Sequence, residues 1–160
     1  MLLTVDIGNT NVTLGVFDGD HIKATGRLST DARRMADEYG LQLLSLLPAK
    51  GILTADIDGV AICSGVPPLT GTFEELSRTY FKVQPLVVSA GVKTGVRVLY
   101  ENPRDVGADR IADAAAAFRL YGGPDIIVDL GTATVFDAVS REGDYLGGAI
   151  APGLNVSAES

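Results

Sequence analysis

The 160-residue sequence contains one cysteine, one histidine and no tryptophan. Cys63 lies in the apolar run 60–63, has no partner in the chain for a disulfide, and is interpreted as a small buried hydrophobic residue. His21 follows a predicted turn at Asp18-Gly19 and has no cysteine or other histidine beside it. These scarcities exclude a disulfide scaffold within the chain and a zinc site of cysteine and histidine ligands.

Positive charge and long apolar segments are also scarce. The chain has 13 Lys and Arg against 20 Asp and Glu, a net charge of -7, and no basic cluster. This balance argues against non-specific nucleic-acid binding. No apolar segment is long enough to cross a membrane, and residues 1–6 lack the basic and apolar regions of a signal peptide. We therefore expect a soluble, cytoplasmic protein that binds neither nucleic acid nor membrane.

Apolar residues make up 46% of the chain, which is ample for a packed core. The hydrophobic pattern predicts strands and helices in alternation. Strands are predicted at 2–6, 11–18, 21–29, 58–63 and 86–89, and helices at 36–47, 67–81 and 109–121. This order predicts an α/β fold, and the antiparallel strands at its start distinguish it from a simple doubly wound Rossmann fold.

A second group of strands begins after the Gly-Gly-Pro segment at 122–124, with a hairpin turn at Glu142-Gly143. The pattern predicts a complete half-domain at 1–122 and the start of a second at 123–160. The final residues indicate a strand, a turn and the beginning of a helix. Since little would cover these strands, we expect the chain to be part of a longer protein.

One acidic, glycine-centred hairpin occurs twice, 123 positions apart, as DIGNTNVTLG at 6–15 and DLGTATVFDA at 129–138. A gapless alignment pairs Asp6 with Asp129, Gly8 with Gly131, Thr10 with Ala133, Asn11 with Thr134 and Val12 with Val135. Each copy ends an apolar run with aspartate, turns on glycine and small polar residues, and enters another apolar run. The duplication predicts two related half-domains that hold the metal-bound phosphates of a nucleotide between them.

The residue types of both hairpins suit phosphate binding. An aspartate that ends a buried strand is costly unless it binds amides, a cation or metal-bound water. Gly8 and Gly131 allow the backbone to approach a phosphate closely. Amide and hydroxyl donors are supplied by Asn9, Thr10, Asn11, Thr13, Thr132 and Thr134. The alternative, an aspartate that caps an ordinary turn, explains one copy better than two matching copies.

The segment YENPRDVGADR at 100–110 is a third candidate. Asp109 stands where a helix is predicted to begin, and a helix N-terminus stabilises negative charge, so one interpretation is an N-cap aspartate with Arg110 beside it. The other is a base for a substrate hydroxyl, with Arg110 paired to a substrate carboxylate. These residues alone leave both interpretations open.

Glycines recur near the end of the sequence, at Gly147, Gly148 and Gly153, with Pro152 among them. They indicate either backbone that lies close to a ligand or ordinary punctuation between a strand and a helix.

Five motifs then stand in a characteristic order: Asp6-x-Gly-Asn-Thr-Asn, Glu101-Asn-Pro, Gly107-Ala-Asp-Arg110, Asp129-x-Gly-Thr-Ala and Gly147-Gly-x-Ile-x-Pro-Gly153. Their order and spacing resemble type III pantothenate kinase, a family within the superfamily of acetate and sugar kinases, heat-shock chaperone ATPases and actin. The resemblance covers the whole chain. It implies an actin-like ATPase (ribonuclease H-like) fold and ATP-dependent phosphorylation of the primary hydroxyl of pantothenate. The implied product is 4′-phosphopantothenate, and its formation is the first step of coenzyme A synthesis.

The resemblance also implies Mg²⁺, a monovalent cation (K⁺ or ammonium), a homodimer and individual residue roles. The implied first phosphate loop comprises Asp6, Ile7, Gly8, Asn9, Thr10, Asn11, Val12 and Thr13, with Asp6 near Mg²⁺ through water. Thr132 resembles an ATP-phosphate contact, and Asp129 the ligand of the monovalent cation. Asp109 resembles the catalytic base. The implied pantothenate-binding residues are Tyr100, Gly107, Ala108, Asp109 and Arg110.

Members of that family continue well beyond position 160, through the rest of a second domain that completes the ATP cleft. Two alternatives to a pantothenate kinase stay open. One is another small-molecule kinase of the superfamily, against which the motifs within 101–110 argue. The other is a non-catalytic accessory transcriptional regulator that keeps the fold, against which the retained aspartates argue.

Overall fold

The computed structural model describes residues 1–89 and 91–158. Contacts between residues divide the chain into two compact units, Met1–Val88 and Ser89–Ser160. The first unit contains β1 (Leu2–Ile7), β2 (Asn11–Asp18), β3 (His21–Ser29), α1 (Ala36–Ala49), a 3₁₀ turn (Thr54–Asp56), β4 (Gly59–Ser64), α2 (Pro67–Leu76), a π-helical turn (Ser77–Phe81) and β5 (Leu86–Val87). The second contains a 3₁₀ turn (Pro103–Asp105), α3 (Ala108–Tyr121), β6 (Asp125–Leu130), β7 (Ala133–Val139), β8 (Tyr145–Pro152) and α4 (Leu154–Ala158).

The sheet of the first unit has the strand order β3-β2-β1-β4-β5. The first three strands form an antiparallel meander, and β1, β4 and β5 are parallel. The turn between β2 and β3 lies where the Asp18-Gly19 pair indicated, and Gly19 has φ 58°. The predicted α/β order of elements is therefore present, although β5 is two residues shorter than expected.

Strand β1 is buried on one face only. Leu3, Val5 and Ile7 are at most 2% exposed and lie in the core with residues of α1 and α2, whereas Asp6 lies on the other face and is exposed. The two helices meet through Tyr39 and Phe73, whose ring centroids are 4.8 Å apart. The prediction that Asp6 ends an otherwise buried strand is therefore wrong, because the alternation of the strand turns its carboxylate away from the core.

Helix α1 extends past Pro48, the residue predicted to end it. Its last turn closes on Gly51 (φ 78°), whose N–H donates to the Pro48 carbonyl (2.9 Å), while the Ile52 N–H donates to the Leu47 carbonyl (3.0 Å). These two bonds form the Schellman arrangement that glycine favours at a helix end. The glycine ends this helix, and the proline lies within its final turn.

The predicted helix at 67–81 is α2 followed by a π-helical turn. The buried Ser77 hydroxyl donates to the Phe73 carbonyl (2.6 Å) at the change of winding. A serine hydroxyl that binds the carbonyl four residues earlier competes with the regular helical ladder. The segment ends at Lys82, which has φ 59°.

In the second unit, β6, β7 and β8 form an antiparallel sheet, with Gly143 (φ 88°) in the predicted hairpin turn. Helix α3 covers the sheet face that carries Ile127, Val139 and Tyr145. On the opposite face Ile126 and Leu130 are 71% and 66% exposed, in line with the expectation that little covers these strands.

The two compact units divide the chain at 88/89, whereas the predicted half-domain boundary is at 122/123. Helix α3 packs in the same unit as the strands that follow it. The half-domains at 1–122 and 123–160 remain a prediction about the repeat, and residues 159 and 160 lie outside the described residues. Among the helices described, none combines the length and apolar character that a membrane crossing requires.

Candidate active site

The first hairpin turns through residues 8–11. Its turn closes with a bond from the Gly8 N–H to the Asn11 carbonyl (2.9 Å), and Ile7 pairs with Val12. Asp6 pairs with Thr13 on β2 and with Cys63 on β4, so these side chains form a row across three strands. The hairpin thus places an exposed carboxylate and a hydroxyl side by side next to a glycine turn.

Neighbouring strands hold the carbonyl groups of this turn. The Thr30 hydroxyl donates to the Gly8 carbonyl (2.7 Å), and the Thr30 N–H donates to the Thr10 carbonyl (3.0 Å). From the end of β4, the Gly65 N–H donates to the Ile7 carbonyl (2.9 Å). Bonds to the carbonyl groups of the turn on one side, and of the residue just before it on the other, therefore hold the turn in place.

The second hairpin is one residue shorter than the first. Its turn closes from the Gly131 N–H to the Ala133 carbonyl (2.9 Å), and Leu130 pairs with Thr134. Three residues thus form the second turn and four form the first. The gapless alignment is therefore wrong beyond the glycines: by register, Thr134 corresponds to Val12.

This offset changes the surroundings of Asp129. Successive side chains of a strand point to opposite faces, so Val135 stands opposite Asp129 at the place where Thr13 stands opposite Asp6. Thr134 faces the other side, where its hydroxyl donates to the Pro152 carbonyl (3.3 Å). Asp129 is exposed and no residue of β6 is fully buried, so the prediction that Asp129 ends a buried strand is also wrong.

Helix α3 begins one residue before Asp109. Gly107 is the N-cap residue and Asp109 the second residue of the helix, so the interpretation of Asp109 as the N-cap is wrong. The exposed Asp109 carboxylate accepts a bond from the Arg110 N–H (2.9 Å). A side chain at 107 would require the exposed Asp109 carboxylate to move from its present position.

Arg110 faces into the second unit. Its Nε donates to Oδ1 of Asp137 (2.9 Å), its Nη2 binds the same oxygen (2.5 Å), and the Tyr145 hydroxyl also donates to it (2.7 Å). Asp137 is 2% exposed and Tyr145 is fully buried. The bond to Asp137 raises the pKa of Arg110, and burial followed by the bond to Asp137 raises the pKa of Tyr145. The guanidinium therefore stays charged, and the phenol stays protonated.

The glycines near the end of the sequence, Gly147, Gly148 and Gly153, lie close to other residues of the second unit. A side chain at Gly148 would meet Arg110 and Asp137, and one at Gly153 would meet the carbonyls of the second turn. Gly147 has φ 129° and lies beside the ring of Tyr100, which is 46% exposed. Close contacts within the second unit thus account for the glycines that suggested either ligand contact or simple punctuation.

Comparison with known proteins identifies the family. The family model for type III pantothenate kinase matches residues 2–160. The chain belongs to the type III pantothenate kinase family. A type III pantothenate kinase from Dehalococcoides mccartyi is 56% identical over 159 residues, which cover 99% of this chain and 60% of that relative. The chain therefore spans about three-fifths of the length of such relatives.

Solved structures support the predicted fold. A Campylobacter jejuni protein assigned to the Baf family of transcriptional activators has 20% identity and a TM-score of 0.54, over 96% of this chain and 55% of that one. The activator of 2-hydroxyisocaproyl-CoA dehydratase from Clostridium difficile, solved with bound ADPNP, has 14% identity and a TM-score of 0.55, over 94% and 45%. At these identities the likeness concerns the fold, and it confirms the α/β, actin-like ATPase class.

The donor groups of this chain fit Mg²⁺ in one particular way. Within residues 1–89 and 91–158, no three His, Cys, Asp or Glu side chains cluster as a ready metal cage. Asp6 instead offers one exposed carboxylate beside a polar turn. Mg²⁺ is commonly held by one or two carboxylates together with waters and substrate phosphates, and such a site needs no cluster.

The predicted site residues of this family member fall into both compact units. Asp6 and the loop to Thr13 lie in the first, and Tyr100, Gly107–Arg110, Asp129 and Thr132 lie in the second. Sequence reasoning missed Thr30, Asp137 and Tyr145. Only Asp137 carried a signal, since a lone aspartate alternates with Val135 and Val139 on what reads as an apolar strand face.

Asp137→Asn is expected to lower the free energy of unfolding by about 3 kcal/mol, because it leaves the largely buried Arg110 without its counter-ion. Asp18→Asn is the matched control, since Asp18 pairs with Lys23 (4.0 Å) and their side chains are 64% and 49% exposed. Exposed pairs contribute little to stability, so this variant should change it far less. Urea unfolding of the full-length protein measures both, and equal losses would contradict the special role of Asp137.

Proposed function

We propose that the full-length protein phosphorylates pantothenate with ATP to give 4′-phosphopantothenate, the first step of coenzyme A synthesis. Family membership over residues 2–160 supports this activity. The observation that carries the chemical assignment is the exposed Asp109 carboxylate in the first turn of α3, next to a fixed arginine. That arrangement suits a base with a substrate-binding cation beside it.

In this proposal the loop from Asp6 to Thr13, with Thr132, binds the phosphates of ATP. The glycine turn offers backbone N–H groups, and Thr13 adds a hydroxyl beside Asp6. Asp6 would hold Mg²⁺, through water as the family resemblance implies, and Mg²⁺ would offset charge on the phosphates. Asp129 would bind the monovalent cation, K⁺ or ammonium. Phosphoryl transfer needs such positioning and charge stabilisation more than covalent help from the protein.

Asp109 accepts the proton of the primary hydroxyl of pantothenate. As the hydroxyl oxygen forms its bond to the γ-phosphorus, the bond to the β,γ-bridging oxygen breaks and ADP leaves with that electron pair. Asp109 stands in the first turn of α3, where the helix N-terminus carries partial positive charge. An anionic carboxylate is the form that can take the proton.

The remaining pantothenate contacts are assigned to Tyr100, Gly107, Ala108 and Arg110. Asp137 occupies the Nε and Nη2 side of the Arg110 guanidinium. The end formed by Nη1 and the second hydrogen of Nη2 faces away from Asp137, because the guanidinium is planar. This end is the one proposed to pair with the pantothenate carboxylate.

The proposal also includes a homodimer and a cytoplasmic location.

A panel of hydroxyl acceptors tests the substrate. With MgATP and the full-length protein, we expect pantothenate to support ADP release at least about tenfold faster than glycerol, acetate, glucose or N-acetylglucosamine. Discrimination of this size corresponds to the loss of one or two well-placed polar contacts. Coupled measurement of ADP release gives the rates. Faster turnover with a sugar or acetate would assign the protein to another kinase of the superfamily.

Asp109→Asn tests the base. The substitution keeps the side-chain size but removes the proton acceptor, so kcat should fall by about 10²–10⁴-fold while MgATP binding changes little. Asp20→Asn, an equal change at an exposed turn between β2 and β3, serves as the control and should keep wild-type turnover. Near-normal turnover of Asp109→Asn would remove Asp109 from the role of base.

A further inference from the structure

Thr30 makes two hydrogen bonds to the first turn from outside it. Its hydroxyl donates to the Gly8 carbonyl (2.7 Å), and its N–H donates to the Thr10 carbonyl (3.0 Å). Thr30 follows directly on β3 and lies outside the motif that marks the loop. One residue thus binds two alternate carbonyl groups of a turn that has only four residues.

These bonds decide which way the N–H groups of the turn point. A trans peptide unit is planar, with its C=O and N–H on opposite edges. Because the Gly8 carbonyl faces Thr30, the Asn9 N–H points away from Thr30, and the Thr10 carbonyl orients the Asn11 N–H in the same way. Both carbonyl oxygens are kept to one side, where they would not repel an anion on the other.

Thr30 is itself held firmly. Before it, Ser29 pairs with Asn11 in the sheet. After it, the Asp31 N–H donates to the hydroxyl of Tyr39 (2.9 Å), and that hydroxyl lies 3.2 Å from the Asp31 carbonyl, to which it donates. Tyr39 is fully buried in the core of the first unit. The buried Tyr39 therefore holds the backbone next to Thr30, and Thr30 holds the turn at residues 8–11.

We infer that Thr30 is a positioning residue for nucleotide binding, which orients the backbone N–H groups of the first turn toward the phosphates of ATP. The inference rests on the proposed phosphate-binding role of residues 6–13. Thr30 acts through the turn and is not itself assigned a contact with the nucleotide. Without its hydroxyl, the Gly8 carbonyl is free to rotate toward the phosphates and repel them.

The test is equilibrium titration of the full-length protein with MgATP in the absence of pantothenate, using Thr30→Val. Valine keeps the branched shape and removes the hydroxyl bond. We expect the Kd for MgATP to rise about tenfold, the size associated with one lost hydrogen bond in a partly buried site. Thr30→Ser retains a hydroxyl and should restore affinity to within about twofold of the wild type. In turnover, KM for ATP should rise while KM for pantothenate stays unchanged.

Thr4→Val is the matched control. The Thr4 hydroxyl donates to the Gly15 carbonyl (3.2 Å), so this variant loses a threonine-to-backbone bond in the same hairpin but away from the turn. It should bind MgATP as the wild type does. Thermal unfolding of both variants checks that any loss of affinity is not a loss of folded protein, and Thr30→Ala replaces Thr30→Val if valine prevents folding.

Wild-type affinity in a folded Thr30→Val or Thr30→Ala protein would overturn the inference. Equal weakening by Thr4→Val would overturn it too, because the effect would then be general to the hairpin. A wild-type protein that binds MgATP but does not phosphorylate pantothenate would instead contradict the proposed function. In that case the comparison of nucleotide affinities still decides the role of Thr30.

Discussion

The second compact unit is organised around the buried carboxylate of Asp137. A charge with 2% exposure is costly unless donors surround it, and here Arg110 and the Tyr145 hydroxyl supply them. A side chain at 148 would collide with the Phe136 carbonyl and with the Arg110–Asp137 ion pair, which accounts for the glycine there. The bond from Arg110 to Asp137 also anchors the first turn of α3 to the sheet. The backbone that carries the neighbouring Asp109 carboxylate is therefore held in place.

In the first unit, the polar turn and the aspartate before it lie outside the core. Alternation along β1 sends apolar side chains into the core and Asp6 to the exposed face. Thr30 and Gly65 then bind the carbonyls around the turn. The duplicated hairpins therefore share a glycine turn and an aspartate but differ in support. They also differ in the residue opposite the aspartate, which is Thr13 in one and Val135 in the other.

Much of the fold follows from local patterns in the sequence. Apolar runs, alternation and turn signals predicted β1 to β4 to within one residue, and Asp18-Gly19 and Glu142-Gly143 marked two hairpins. The prediction that α1 ends at Pro48 failed because a proline in the last turn costs the helix only one backbone hydrogen bond. The end of α1 depends instead on Gly51. Similarly, a gapless comparison cannot reveal a turn that is one residue shorter, because only strand register shows it.

The candidate site was predictable where a motif carries the chemistry and not where distant residues support it. Asp109 and the two glycine turns stand out in the sequence, whereas Thr30 is 22 positions from Gly8 and Asp137 is 27 positions from Arg110. Such pairings depend on how strands and helices come together, which local patterns do not encode. The burial of Asp137 and the orientation of the first turn both belong to this category.

The proton-coupled ³¹P spectrum of the product made by the full-length protein from MgATP and pantothenate tests the proposed activity most directly. Pantothenate has a primary and a secondary hydroxyl. A phosphate ester on the primary carbon couples to two methylene protons and gives a three-line signal, whereas an ester on the secondary carbon gives a two-line signal. We expect the three-line ester, formed only when protein, MgATP and pantothenate are all present. A two-line ester, or inorganic phosphate alone, would contradict the assignment.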